Sequence, residues 1–137
     1  MSTAPHPAPF GTTYPDRVFP GIAMDRVRAY AAASGDDNPI HVDAAAARSI
    51  GLEGPIVQGM LLMGLVDTAL ADWLPEGTTC KLSTRFALPV AVGSPVTIAA
   101  RVVRAYMEAG RPRATLRIFV RDGGGKAVAL AEAVVGL

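Results

Sequence analysis

The sequence predicts an α+β domain in which a curled antiparallel sheet wraps one long apolar helix, and three observations carry that expectation. The chain to about Leu74 reads as helices and loops. The remainder alternates apolar and polar residues between Gly/Pro-rich turns. No repeat or low-complexity linker divides the two parts, so they share one core. At 137 residues, half of them apolar, the chain supports one domain and not two. Only 6% of residues are aromatic, which leaves Ala, Val and Leu to fill the interior.

Taken in order, residues 1–15 are rich in Pro and Ala and read as a mobile tail ahead of a domain spanning 16–137. A helix follows from Met24 to Ala33, with Met24, Val27, Tyr30 and Ala31 on one face and Ser34-Gly35 as its stop. Asp36 to His41 is not regular helix, because Pro39 lacks an N–H and biases Asn38 away from the α region. Asp43 is placed to cap a short alanine helix, Ala44 to Ile50, that ends at Gly51. After an extended stub, Ile56-Val57, Gly59 opens the helix Met60 to Leu74. That helix is apolar almost all round and so is expected to be buried on most sides. Strands are expected over Thr78 to Leu88, Val96 to Tyr106, Ala114 to Arg121 and Lys126 to Val135. In the first, Cys80, Leu82, Phe86 and Leu88 share one face. Val96, Ile98, Ala100 and Val102 point inward on the second; Leu116, Ile118 and Val120 do so on the third. Glu108 to Pro112 and Asp122 to Gly125 are the turns.

Composition removes several function classes. Charged residues make up 18% and the net charge is +1, so no nucleic-acid or anionic-membrane footprint is present. Cys80 is the single cysteine, which excludes an internal disulfide. Two histidines and one cysteine do not make a Cys/His zinc site within one chain. The N-terminus has neither the basic start nor the apolar run of a signal peptide, and Asp67 and Asp72 interrupt the most apolar helix. The expectation is a soluble, cytoplasmic protein with no nucleic-acid or membrane partner.

Reactive groups concentrate in Ser34-Gly35-Asp36-Asp37-Asn38-Pro39-Ile40-His41-Val42-Asp43. Asp36 and His41 are five apart, a spacing that diverges on a regular helix. The Asn38-Pro39 break lets the chain fold back and bring carboxylate and imidazole onto one small molecule. The same residues are ordinary between two helices, and a lone loop His is commonly a surface group. A second feature is Ile56-Val57-Gln58-Gly59-Met60. There a glycine precedes a buried helix whose first N–H groups are unpaired and partly positive, which suits an oxygen gaining negative charge.

Together these segments resemble the MaoC-like (R)-specific enoyl-thioester hydratases. The match runs through Ser34-Gly35-Asp36-x-Asn38-Pro39-Ile40-His41-x-Asp43 and Pro55-Ile56-Val57-x-Gly59-Met60-Leu61. It continues in Arg85-Phe86-x-x-Pro89-Val90, Gly93-Ser94-Pro95-Val96 and Ala131 to Val135, covering nearly all the chain after about residue 18. The resemblance implies a hotdog fold and a homodimer with sites near the subunit interface. It puts the catalytic aspartate on Asp36, the histidine on His41, a loop-shaping residue on Asn38, and the N–H that holds the thioester carbonyl on Gly59. Met60 belongs to the same motif, and Asn38, Gln58, Met60 and Gly64 make up the expected loop-shaping and substrate-binding set. The chain departs from the pattern at Gln58, where the family often has His, and at Gly64, where many members carry Ser. Gly64 either lets the helix pack closely on the sheet or leaves room for a bulky acyl group.

The implied reaction adds water to a 2-enoyl thioester, or removes it from a 3-hydroxyacyl thioester. Coenzyme A or an acyl carrier protein arrives with the substrate, and no metal or redox cofactor is called for. Two alternatives share the fold: an acyl-thioesterase, and a silent subunit of a heterodimeric dehydratase. The Asp-x-Asn-Pro-x-His loop argues against both.

Overall fold

The computed structural model describes residues 4–137 and has the elements β1 (Arg17–Phe19), α1 (Met24–Ser34), a 3₁₀ turn (Pro39–His41), α2 (Ala44–Ser49), α3 (Gly59–Trp73), β2 (Thr78–Phe86), β3 (Val96–Glu108), β4 (Arg111–Arg121) and β5 (Ala127–Gly136). All strands pair antiparallel in one sheet of order β1-β3-β4-β5-β2, with α3 against the inner face. The α+β expectation holds.

The inner face follows the alternation read from the sequence. Val96, Ile98, Ala100 and Val102 of β3 are buried, as are Leu116, Ile118 and Val120 of β4. They are in register across the two strands as Ile98↔Val120, Ala100↔Ile118 and Val102↔Leu116. Ala131, Ala133 and Val135 of β5 join them, and α3 contributes Leu61, Leu62, Leu65, Val66, Ala69 and Leu70 to the same core. Register shifts at Val102/Arg104 and Thr79/Lys81 bend the strands and curl the sheet.

Several expectations change. The segment read as a mobile tail is docked from Ala8 onward: Ala8 is fully buried, Thr13 bridges Arg101, and Trp73 Nε1 donates to the Pro15 carbonyl at 2.8 Å. Tyr14 stacks on Trp73 with ring centroids 5.5 Å apart, and burial pushes its hydroxyl pKa up. Met1 to Thr3 lie outside the described residues. β1 was not anticipated, because three residues are too few to show a period. The β3–β4 turn is tighter than Glu108 to Pro112. Ala109 and Gly110 both take positive φ (50° and 75°), the requirement of a two-residue hairpin, and Arg111 and Pro112 enter the strand. Cys80 does not face inward with Leu82. It is the extra residue of the β2 irregularity and is exposed.

The largest difference concerns α3. The chain buries one face of it and leaves Met60, Gly64, Asp67, Thr68 and Ala71 open, an i, i+4, i+7, i+8, i+11 stripe that mixes apolar and polar groups. The helix is therefore buried on one side by its own sheet, not on most sides.

Candidate active site

The loop that follows α1 is built from local hydrogen bonds that the sequence encodes. Gly35 closes α1 in the left-handed region (φ 77°), its N–H donating to the Ala31 carbonyl at 3.0 Å. The Asp36 N–H donates to Ser34 Oγ at 3.2 Å, and Asp36 Oδ1 accepts from the Asn38 N–H at 3.2 Å. Asn38 Oδ1 in turn accepts the Ile40 N–H at 3.2 Å and caps the 3₁₀ turn, whose first position is Pro39. Asn38 thus holds the turn through its own side chain. Asp43 caps α2 through its contact with the Ala45 N–H at 2.9 Å. Each short polar side chain satisfies a backbone donor that a turn would otherwise leave open.

This turn brings Asp36 and His41 together. Asp36 Oδ2 lies 3.3 Å from His41 Nε2, with the imidazole side chain 9% exposed and the carboxylate 40%. His41 Nδ1 is 2.8 Å from the Ile56 carbonyl oxygen, and the Ile56 N–H donates back to the Ile40 carbonyl at 3.2 Å. A carbonyl only accepts, so Nδ1 carries a proton; in the neutral imidazole the Nε2 lone pair then faces the carboxylate. Two acceptors then converge across 3.3 Å, an arrangement that suits a proton-bearing species between them. Meanwhile Asp36 Oδ1 is occupied by the Asn38 N–H, which leaves Oδ2 as the free oxygen.

The Ile56-Val57 stub is extended, as read. Ile56 bridges Ala91, and the Val57 N–H donates to the Val90 carbonyl at 2.8 Å. Gly59 is the first residue of α3, while Gln58 occupies the cap position. Gln58 does not cap the helix with its side chain. It is 1% exposed and turns inward, Nε2 donating to the Val27 carbonyl at 2.9 Å. Its Oε1 has no protein partner. The departure at Gln58 therefore braces α3 against α1 and leaves the first N–H groups of α3 free of a side-chain cap.

A groove of about 280 Å³ is lined by His41, Ile56, Val57, Gly59, Leu62 and the segment Phe86 to Val90. It joins the imidazole to the start of α3 with otherwise apolar walls. A larger cavity of about 540 Å³ lies between α3 and β2 around Leu70, Ala71, Lys81 and Leu82, and it holds neither Asp36 nor His41. Of the two, the smaller groove is the one lined by His41. Met60, 60% exposed, and Gly64 face away from it on the open stripe of α3. A Cβ on Gly64 meets nothing within 4 Å, so close packing on the sheet does not explain that glycine. Sequence reasoning missed Ile56 as the histidine's anchor and Phe86 as a wall of the groove. Phe86 sits in the Arg85-Phe86-x-x-Pro89 motif, which was the available signal.

Among the described residues, no group of three or more His, Cys, Asp or Glu side chains is placed to hold a metal ion, and no helix is long and apolar enough to cross a membrane.

The chain is similar in sequence and in fold to known proteins. Over 113 residues the chain is 42% identical to an (R)-specific enoyl-CoA hydratase of Aeromonas caviae, covering 81% of this chain and 83% of that one. The solved (R)-hydratase from A. caviae, described as involved in PHA biosynthesis, superposes with a TM-score of 0.84 at 34% identity over 96% of this chain and 98% of that one. The unliganded R-hydratase PhaJ1 of Pseudomonas aeruginosa does so with a TM-score of 0.77 at 29% identity, over 93% and 80% of the two chains. The hotdog fold follows from these superpositions. Since the MaoC-like domain model also matches residues 6–118, this chain belongs to the MaoC-like family.

Proposed function

We infer that this protein is a lyase that adds water across the double bond of a 2-enoyl thioester, or eliminates it from the (R)-3-hydroxyacyl thioester. The observation that carries the reading is the 3.3 Å approach of Asp36 Oδ2 to His41 Nε2, with Nδ1 tied to the Ile56 carbonyl.

A water that donates to both acceptors is held beside the groove. As its oxygen attacks C3, the pair takes its proton, and the C1 oxygen of the thioester gains charge. The free N–H of Gly59, at the positive end of α3, stabilises that oxygen; one such donor is typically worth ~3–4 kcal/mol of barrier. The proton then passes to C2, which completes addition of H and OH. Dehydration is the reverse path. The acyl group travels on coenzyme A or an acyl carrier protein, the carriers that two relatives are named for: the A. caviae hydratase, and a mitochondrial 3-hydroxyacyl-[acyl-carrier-protein] dehydratase of Arabidopsis thaliana that is 32% identical over 58% of this chain and 46% of that one.

The protein works as a homodimer in this account. What supports it is the open stripe of α3 and the unpaired edge of β2, surfaces that a second copy covers at little cost.

Incubation with crotonyl-CoA tests the activity. Loss of enoyl absorbance without thiol release is the expected result; thiol release without hydration makes the protein a thioesterase instead.

A further inference from the structure

Phe86 closes β2, and its ring is pressed against the first residue of α3. A Cβ placed on Gly59 would lie 3.1, 3.2 and 3.3 Å from ring atoms Cζ, Cε2 and Cε1. Side chains seldom meet that closely. Gly59 is also absent from the glycines with positive φ, so its backbone has no need of glycine. What calls for glycine at this position is the approach of the ring. Yet Phe86 is 45% exposed, and its neighbour Leu88 47%. A large apolar side chain left half in solvent is not there for the core. It lines, with His41 and Leu62, the groove that leads from the reactive pair to the start of α3.

We propose that Phe86 is a specificity-determining residue of this site: its ring sets the width of the groove beside Gly59, and with it the length of acyl group that the groove accepts. The inference rests on the hydratase reading only for the ligand being an acyl thioester; the contact itself does not depend on it. Removing the ring opens the groove on the side where α3 begins. Apolar pockets discriminate between ligands differing by one methylene by roughly tenfold or more, so a ring-sized change is measurable.

Calorimetry with butyryl-CoA and octanoyl-CoA, saturated thioesters that cannot be hydrated, tests the proposal apart from catalysis. Phe86→Ala should raise the affinity for octanoyl-CoA relative to butyryl-CoA by about tenfold. Gly59→Ala should weaken both ligands and lower Tm, and Phe86→Leu in the same chain should recover most of each loss. An affinity ratio that Phe86→Ala leaves unchanged overturns the proposal, as does wild-type protein that binds neither thioester. Gly59→Ala that is equally damaging beside Leu and beside Phe86 removes its steric basis. Failure of the hydratase reading shows separately, as wild-type protein that binds these thioesters with the stated preference but does not hydrate crotonyl-CoA.

Discussion

His41 Nδ1 donates to the carbonyl of Ile56 at 2.8 Å, and that bond decides which nitrogen faces Asp36. It also ties the loop after α1 to the stub before α3, the two segments that carry Asp36 and the first N–H groups of α3. His41 therefore has a structural role and a chemical one, and substitutions can part them.

His41→Asn should keep much of the anchor, because its amide can donate to Ile56 from near the Nδ1 position. Its stability should stay close to wild type while hydration is lost. His41→Ala loses both, and should be less stable by about 1 kcal/mol, the usual net worth of such a hydrogen bond. Urea unfolding of the two variants checks this; equal stabilities would mean that the Ile56 contact contributes nothing.

The open stripe of α3 makes a prediction about assembly. A side chain at Gly64 enters empty space within one chain, so Gly64→Arg should fold normally. Wild-type protein should scatter light as twice the 14.2 kDa chain mass, and Gly64→Arg as the single chain. Wild-type protein of single-chain mass contradicts the dimer; a dimeric Gly64→Arg moves the seam off this helix.

Gln58 offers a pH test. Gln58→Glu puts a carboxyl at a site 1% exposed, facing the Val27 carbonyl. Protonated, it donates there as the amide does; ionised, it is desolvated and repelled, so its folded pKa is raised. Above the unfolded value of about 4.3 the folded state holds more protons than the unfolded one, and stability falls as pH rises, by up to about 1.4 kcal/mol per unit. Tm measured from pH 4 to 8 should drop steeply for this variant relative to wild type. Parallel curves would show that the side chain escapes to solvent.

Much of this fold was legible because its signals are local. Gly35, Asn38-Pro39, Asp43 and Gly51 each dictate a backbone event within a few residues, and the alternation of β3 and β4 names their buried faces. What was not legible depends on distant partners. Cys80 faces out because β2 slips one residue against β5, a register event set by pairing and not by its own period. Ala8 is buried by its place beside the core, not by any pattern of its own. At the site, the sequence placed Asp36, His41 and Gly59 through a family motif, whereas the reason for glycine at 59 lies 27 positions away at Phe86.

In the proposed mechanism Asp36 and His41 together move the proton of the attacking water. Asp36→Asn isolates it, since the amide oxygen still accepts the Asn38 N–H and the loop keeps its shape. Only the free oxygen facing Nε2 changes, from a base to an N–H donor. The decisive measurement is kcat for crotonyl-CoA hydration by wild type and Asp36→Asn, at matched Tm. Shared proton transfer by the pair predicts a fall of about 10²-fold or more, the usual reach of general acid–base catalysis. An Asp36→Asn enzyme that keeps near wild-type turnover would contradict it.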